Sequence, residues 1–141
     1  MVIIRQAQES DAEQMLHVAS RFPIQSYLDS FGVSSLLADC TVCIIVAEVS
    51  GQVAGYLLGY DRHGHPLYTD APTAEVEEIM VADEFRNRGV GRLLIQRFED
   101  WARTRQCQRI IIGGAPAAGF YRSLGYGESR FCAGQALEKA L

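Results

Sequence analysis

The sequence predicts a single α/β domain, residues 2–141, on three observations. Val42–Val49 is apolar and β-branched, and Ser50-Gly51-Gln52 turns it into Val53–Tyr60, the pattern of a β-hairpin. Ala74–Val81 reads as a further strand. Beyond a glycine-bearing turn, Val90, Leu94, Phe98, Trp101 and Ala102 recur at steps of three and four, the period of an amphipathic helix. A length of 141 residues suffices for one core that removes roughly two-thirds of the unfolded chain's surface from water.

Val2-Ile3-Ile4 reads as a short first strand. Ser10 and Glu13 have the spacing of a capping box, in which each side chain satisfies the other's backbone N–H. The helix they start turns Ala12, Met15, Leu16, Val18 and Ala19 inward and stops before Pro23. A second helical pattern runs from Ile24 to Asp39 through Tyr27, Leu28, Phe31, Leu36 and Leu37, broken at Gly32, with Tyr27 and Phe31 read as core. Asp61–Thr73 holds His63, Gly64, His65, Pro66 and Pro72 and is a loop; its histidines read as exposed, since no third metal ligand lies in sequence range. Arg109–Ile112 is a buried strand ended by Gly113-Gly114. Pro116 suits the first turn of a helix that carries Phe120, Tyr121 and Leu124 and closes at Gly125. Local propensity alone makes Ala136–Leu141 helical.

Charge is distributed unevenly beneath a net value of −4. Between Gln6 and Glu84 there are 13 acids against Arg21 and Arg62, whereas Arg86–Arg109 holds seven arginines against Glu99 and Asp100. That polarity suits an anionic ligand met by the second half and a cationic one met by the first. It disfavours nucleic acid, whose phosphates most of the surface would repel. No apolar run approaches the length of a membrane span and no charged leader precedes a hydrophobic stretch, so a cytoplasmic protein without membrane attachment is expected. Cys40, Cys43, Cys107 and Cys132 lack a second pair at metal-ligand spacing and read as buried free thiols, with no metal expected.

The densest chemical signal is Arg86-Asn87-Arg88-Gly89-Val90-Gly91, followed by Arg92, between the 74–81 strand and the next helix. A helix opening after such a turn leaves its first N–H groups unpaired, and glycines let an anion approach them. Neither a P-loop nor a dinucleotide fingerprint fits, because Arg92 and Leu93 follow Gly91 and position 94 is Leu. Arg-x-x-Gly-x-Gly resembles instead the acetyl-CoA pyrophosphate loop of the GNAT superfamily of N-acetyltransferases. Tyr121-Arg122-Ser123-Leu124-Gly125-Tyr126 is similar to that superfamily's C-terminal Tyr-x-x-Leu-Gly-aromatic element, in the expected order.

The resemblance implies a central mixed, mostly antiparallel sheet flanked by helices and splayed near Val81, where acetyl-CoA would bind along Val81 and Arg86–Arg92. It implies a final strand at Ala136–Leu141, paired with Glu128–Cys132, in place of the helix. It also implies direct acetyl transfer to a primary amine of a small molecule or peptide, for which the acid imbalance favours a cationic acceptor. Tyr121 occupies the position of the family's proton donor to the departing thiolate. On the strand before the loop, Glu77 lies four residues before Val81, where several family members carry an acid facing the amine; Glu78 is the second candidate. Strand alternation puts Glu75 and Glu77 on one face and Glu78 on the other unless a bulge intervenes. Many members carry an asparagine just after the fifth strand, but residues 113–118 here have no polar side chain. Two other readings stay open: a non-catalytic acyl-CoA-binding sensor, and a domain that binds another phosphorylated ligand at the same loop. Oligomeric state is not encoded in any of these signals.

Overall fold

A computed structural model describes residues 1–22, 26–113, 118–131 and 136–141. Its strands are β1 Val2–Gln6, β2 Val42–Val49, β3 Gln52–Asp61, β4 Thr73–Val81, β5 Arg109–Gly113, β6 Gly127–Glu128 and β7 Ala136–Ala140. They form one seven-stranded sheet in the order β1-β2-β3-β4-β5-β7-β6. Every neighbouring pair is antiparallel except β4 with β5. Those two run parallel because the helix between them, α4 (Val90–Thr104), carries the chain back along the sheet.

The apolar stripe of α4 explains its place. Val90, Leu94, Ile95, Phe98 and Ala102 are buried together with Ile45, Ala47, Leu57, Val76, Ile110 and Ile112 of the sheet. A short helix α5 (Ala118–Ser123) joins the same layer through Tyr121. The opposite face is covered by α1 (Ala12–Ala19), α2 (Tyr27–Phe31) and α3 (Val33–Ala38), whose Met15, Val18, Leu28 and Leu36 meet Ile44, Val46, Tyr56, Leu58 and Met80. Each fully buried Leu, Ile or Phe of this kind contributes about 1.5–3 kcal/mol. Among the described residues, no helix is long and apolar enough to cross a membrane.

Most element boundaries agree with the periodicities. Ser50 and Gly51 form a two-residue turn with both φ angles positive, and α2 gives way to α3 at Gly32. Three details differ, and a fourth, the strand at the C-terminus, departs from local propensity while agreeing with the resemblance. The cap of the first helix is built by Gln8 and Asp11, not Ser10 and Glu13: Arg5 holds Asp11 through two bonds of 2.8 Å, and Asp11 Oδ2 then accepts the Gln8 N–H at 2.8 Å. Tyr27 and Phe31 are exposed and stack on each other at 5.5 Å rather than entering the core. Cys43 and Cys107 are buried free thiols, but Cys40 sits in the turn before β2 and is exposed. The C-terminal segment is a strand, paired through Gly127 and Glu128. Packing against β5 overrides its helical propensity; of the expected partner stretch Glu128–Cys132 only Glu128 is strand, Ser129–Phe131 are not, and Cys132 lies outside the described residues.

Candidate active site

The arginine-rich loop leaves β4 through a 3-10 turn at Asp83–Phe85 and reaches α4 over two residues with positive φ, Asn87 (61°) and Gly89 (77°). Gly89 is the N-cap residue, in a conformation that favours glycine. The first intrahelical bond is Leu93 N–H to Gly89 C=O at 3.1 Å, and no side chain caps the helix. The N–H groups of Gly89, Val90, Gly91 and Arg92 therefore lack intrahelical partners at the positive end of a 15-residue helix. Arg86, Arg88 and Arg92 are exposed around them. Arg86 is steadied by a 3.3 Å bond to Val81 C=O and lies 3.3 Å from Asp83. Backbone donors and free guanidinium groups at one helix start fit a polyphosphate.

Gly91 has a reason beyond ligand access. A Cβ there would come within 3.1 Å of the Phe120 ring. The absence of a side chain lets α4 abut α5, so the two motifs that carry the sequence resemblance touch each other. At Gly89, by contrast, a Cβ would meet nothing within 4 Å, and the positive φ alone calls for glycine.

Next to this loop the sheet opens. β4 and β5 pair from Thr73 with Arg109 to Val76 with Ile112, and no further. Ala82 N–H bonds Ala54 C=O at 2.8 Å on the β3 side, so alternation aims the Val81 backbone groups at the opposite edge, into the opening. On the α4 side of the sheet stands Tyr121, buried, with its ring edge-on to Phe120 and Tyr126 at 5.1 and 6.0 Å. Its hydroxyl makes no hydrogen bond among the described residues, and burial pushes the phenol up to about 12. Tyr126 is anchored differently: its hydroxyl donates to Glu99 at 2.9 Å, and Lys139 Nζ reaches the same carboxylate at 3.1 Å.

The acids lie on the other face, and a β-bulge gathers them. In the β3–β4 ladder Leu58 pairs with Glu78 and Gly59 with Val76, which leaves Glu77 as the extra residue. Val76 and Ile79 consequently share the α4 side, while Glu78 turns to the α2 side with Met80. Strict alternation, which separates Glu78 from Glu75 and Glu77, does not hold. Glu78 Oε1 accepts from Ser26 Oγ at 2.8 Å and Tyr27 N–H at 3.2 Å; its Oε2 is buried without a partner among the described residues. Burial raises the carboxyls of Glu75 and Glu78, and the Glu77 charge adds to both. Glu77 also raises the Tyr27 phenol by hydrogen bonding and charge. Tyr60 is pushed up to about 12, first by burial and then by Glu77. Arg62 lies 3.5 Å from Glu75 and 4.4 Å over the Tyr60 ring.

The sequence model of the Acetyltransferase (GNAT) family matches residues 5–126. The chain belongs to the GNAT family. An N-alpha-acetyltransferase of Sulfurisphaera tokodaii (strain DSM 16993 / JCM 10545 / NBRC 100140 / 7) is 26% identical over 134 residues, 89% of this chain and 80% of that protein. The solved structure of a transcriptional regulator from Bacillus halodurans C-125 matches with a TM-score of 0.78 at 25% identity, over 92% of this chain and 95% of that one. That of AAC(6')-Iy in complex with the bisubstrate analog CoA-S-monomethyl-acetylneamine matches with a TM-score of 0.74 at 20% identity, over 88% and 86% of the two chains.

In this GNAT chain Val81 and Tyr121 lie on the α4 side of the sheet and Glu78 on the α2 side, with Glu77 acting on Tyr27 there, while Arg86 and Arg88 stack over Phe22 and Phe85. Sequence reasoning missed Ser26 and Tyr56, which surround Glu78: Ser26 Oγ lies 3.3 Å from Tyr56 Oη. Tyr27 and Phe31, for which core packing is expected over lining a pocket, form an exposed stack, with Tyr27 beside Glu77. Only the Glu-Glu pair in an otherwise apolar strand signalled this region. Most of the apolar stretch after β5, residues 114–117, lies outside the described residues.

Proposed function

We propose that this GNAT protein transfers an acetyl group directly from acetyl-CoA to a primary amine on a cationic acceptor. The observation that carries this reading is the parting of β4 from β5 beyond Val76 and Ile112. It leaves the rest of β4, beside the arginine loop, unpaired with β5 among the described residues. When bound, acetyl-CoA supplies a thioester-activated acetyl group. The N–H groups of Gly89–Arg92, with Arg86, Arg88 and Arg92, would hold its pyrophosphate, and the Val81 backbone faces the same opening.

From the other face, Glu75, Glu77 and Glu78 attract an ammonium, and Arg62 offsets only part of their charge. Glu77 then collects the proton through water, since a carboxylate is a poor direct base for an ammonium. The energetics favour some amines. Deprotonation at pH 7 costs about 4.6 kcal/mol for a lysine-like pKa but about 1 kcal/mol for an α-amine. An α-amine acceptor also accords with the N-alpha-acetyltransferase relative. Glu78 is the second candidate for the proton acceptor, on its buried, unpartnered Oε2. Tyr121, kept protonated by burial, donates to the departing thiolate.

The test is mass spectrometry of acceptors incubated with protein and acetyl-CoA: peptides with free and with blocked N-termini, a polyamine, and an acidic amino acid. Acetylation of the free-amine cationic acceptors over the acidic one is expected. Equal kcat/KM for acidic and cationic acceptors, or modification of blocked peptides without other amines, would refute the reading.

A further inference from the structure

We propose that Asp61, His63 and Cys107 form a zinc-type divalent metal site, remote from the acetyl-transfer cleft. One ligand atom from each lies within 4.8 Å of the other two. Tetrahedral zinc with bonds of about 2.0–2.3 Å sets its ligands roughly 3.3–3.8 Å apart. Side-chain adjustments of about an ångström therefore suffice. The three residues come from different places: the end of β3, the loop after it, and the link from α4 to β5. The cluster lies at the strand end opposite the cleft, since Asp61 pairs with Ala74 whereas Gly55 pairs with Val81.

Two of the three ligands are already fixed. Asp61 N–H donates to Thr41 C=O at 2.8 Å, and its Oδ2 accepts from Arg105 Nε at 2.8 Å, which leaves Oδ1 to face His63. Cys107 is buried, and its N–H bonds Ala102 C=O at 2.9 Å. His63 is exposed; its N–H bonds Asp61 Oδ1 at 2.9 Å and its Nδ1 contacts the same oxygen. An ordinary Asp–His ion pair accounts for that contact but not for a thiol converging on the same point. Thiolate, imidazole and carboxylate together select zinc-like ions over magnesium or calcium. The exposed side of His63 leaves a fourth position for water. Thiolate and carboxylate balance a divalent charge, and the negative end of α4 offsets the added Arg105 cation. Occupancy would tie the start of the 61–73 loop to the α4–β5 link. Arg62, which reaches Glu75, is carried between two of the ligands.

The test is cobalt titration of chelator-stripped, reduced full-length protein. A thiolate-to-cobalt charge-transfer band should saturate at one equivalent and be displaced by zinc. Zinc, but not magnesium, should raise the melting temperature. Cys107→Ser should abolish the band, Cys40→Ser should keep it, and His63→Ala, on the surface, should weaken cobalt binding by roughly tenfold or more. Absence of the band in the parent protein, its survival in Cys107→Ser, or unchanged affinity in His63→Ala would overturn the site.

Discussion

Tyr121→Phe removes one oxygen and keeps the ring that packs between Phe120 and Tyr126. The hydroxyl makes no hydrogen bond among the described residues, so no partner is orphaned by its loss. Stability should therefore hold. Activity should fall. A phenol raised to about 12 stays protonated throughout the neutral range. It is then a constant donor, but full proton transfer to a thiolate with a pKa near 8.5 is uphill by about 5 kcal/mol. Tyr121 therefore acts through a hydrogen bond to a developing charge, worth about 1.5–3 kcal/mol. Its loss should lower the rate of the chemical step by about 10- to 100-fold. The assay is single-turnover release of coenzyme A thiol under saturating acetyl-CoA and amine, alongside thermal melts. An unchanged single-turnover rate, or a variant that loses stability in proportion to activity, refutes the role.

Glu77→Gln should lower kcat/KM most steeply at low pH, where the acceptor amine is scarcely neutral; a pH profile that overlays the parent's removes Glu77 from the mechanism. Burial raises the Glu78 carboxyl above its unfolded value, so the native state holds that proton more tightly. Its contribution to stability is full below the unfolded value and is lost as pH rises through the native one. The melting temperature of Glu78→Gln relative to the parent should accordingly improve as pH rises above the unfolded carboxyl's value, and a constant difference counts against the raised carboxyl. Gly91→Glu should weaken acetyl-CoA binding at least tenfold, about 1.4 kcal/mol, whereas Gly91→Ala meets the same Phe120 ring without the charge and should bind within a few-fold of the parent. Calorimetry showing equal losses for both would assign Gly91 to packing alone.

Legibility in the sequence followed the range of the interaction. The β2–β3 hairpin, α4 and β5 are written in local periodicity, and the loop from Arg86 to Arg92 in residue type, so both appeared where expected. The bulge at Glu77 has no signature in its own strand; Gly59 stands at the register shift on β3, and plain alternation sends Glu78 to the other face. Tyr27 and Phe31 fit a helical stripe, yet Leu28 takes the buried position and the two rings stay outside. The capping residues moved because Arg5, on a neighbouring strand, claims Asp11. Buried charges found partners far along the chain, as Arg109 does with Asp70 at 2.8 and 3.0 Å. Lys139 with Glu99 is of the same kind. Such pairs are set by topology, which spacing along one sequence does not encode.

The central claim is that the opening beside Val81 moves an acetyl group onto an amine instead of merely holding an acyl-CoA. The most direct measurement combines calorimetric binding of acetyl-CoA with quantitation of free thiol and acetylated amine in one preparation. The account predicts saturable binding of acetyl-CoA in preference to ATP, and thiol release that requires the amine and equals the acetylated product mole for mole. Binding of acetyl-CoA with no amine-dependent thiol release across peptide, polyamine and small-metabolite acceptors would contradict it and leave a sensor.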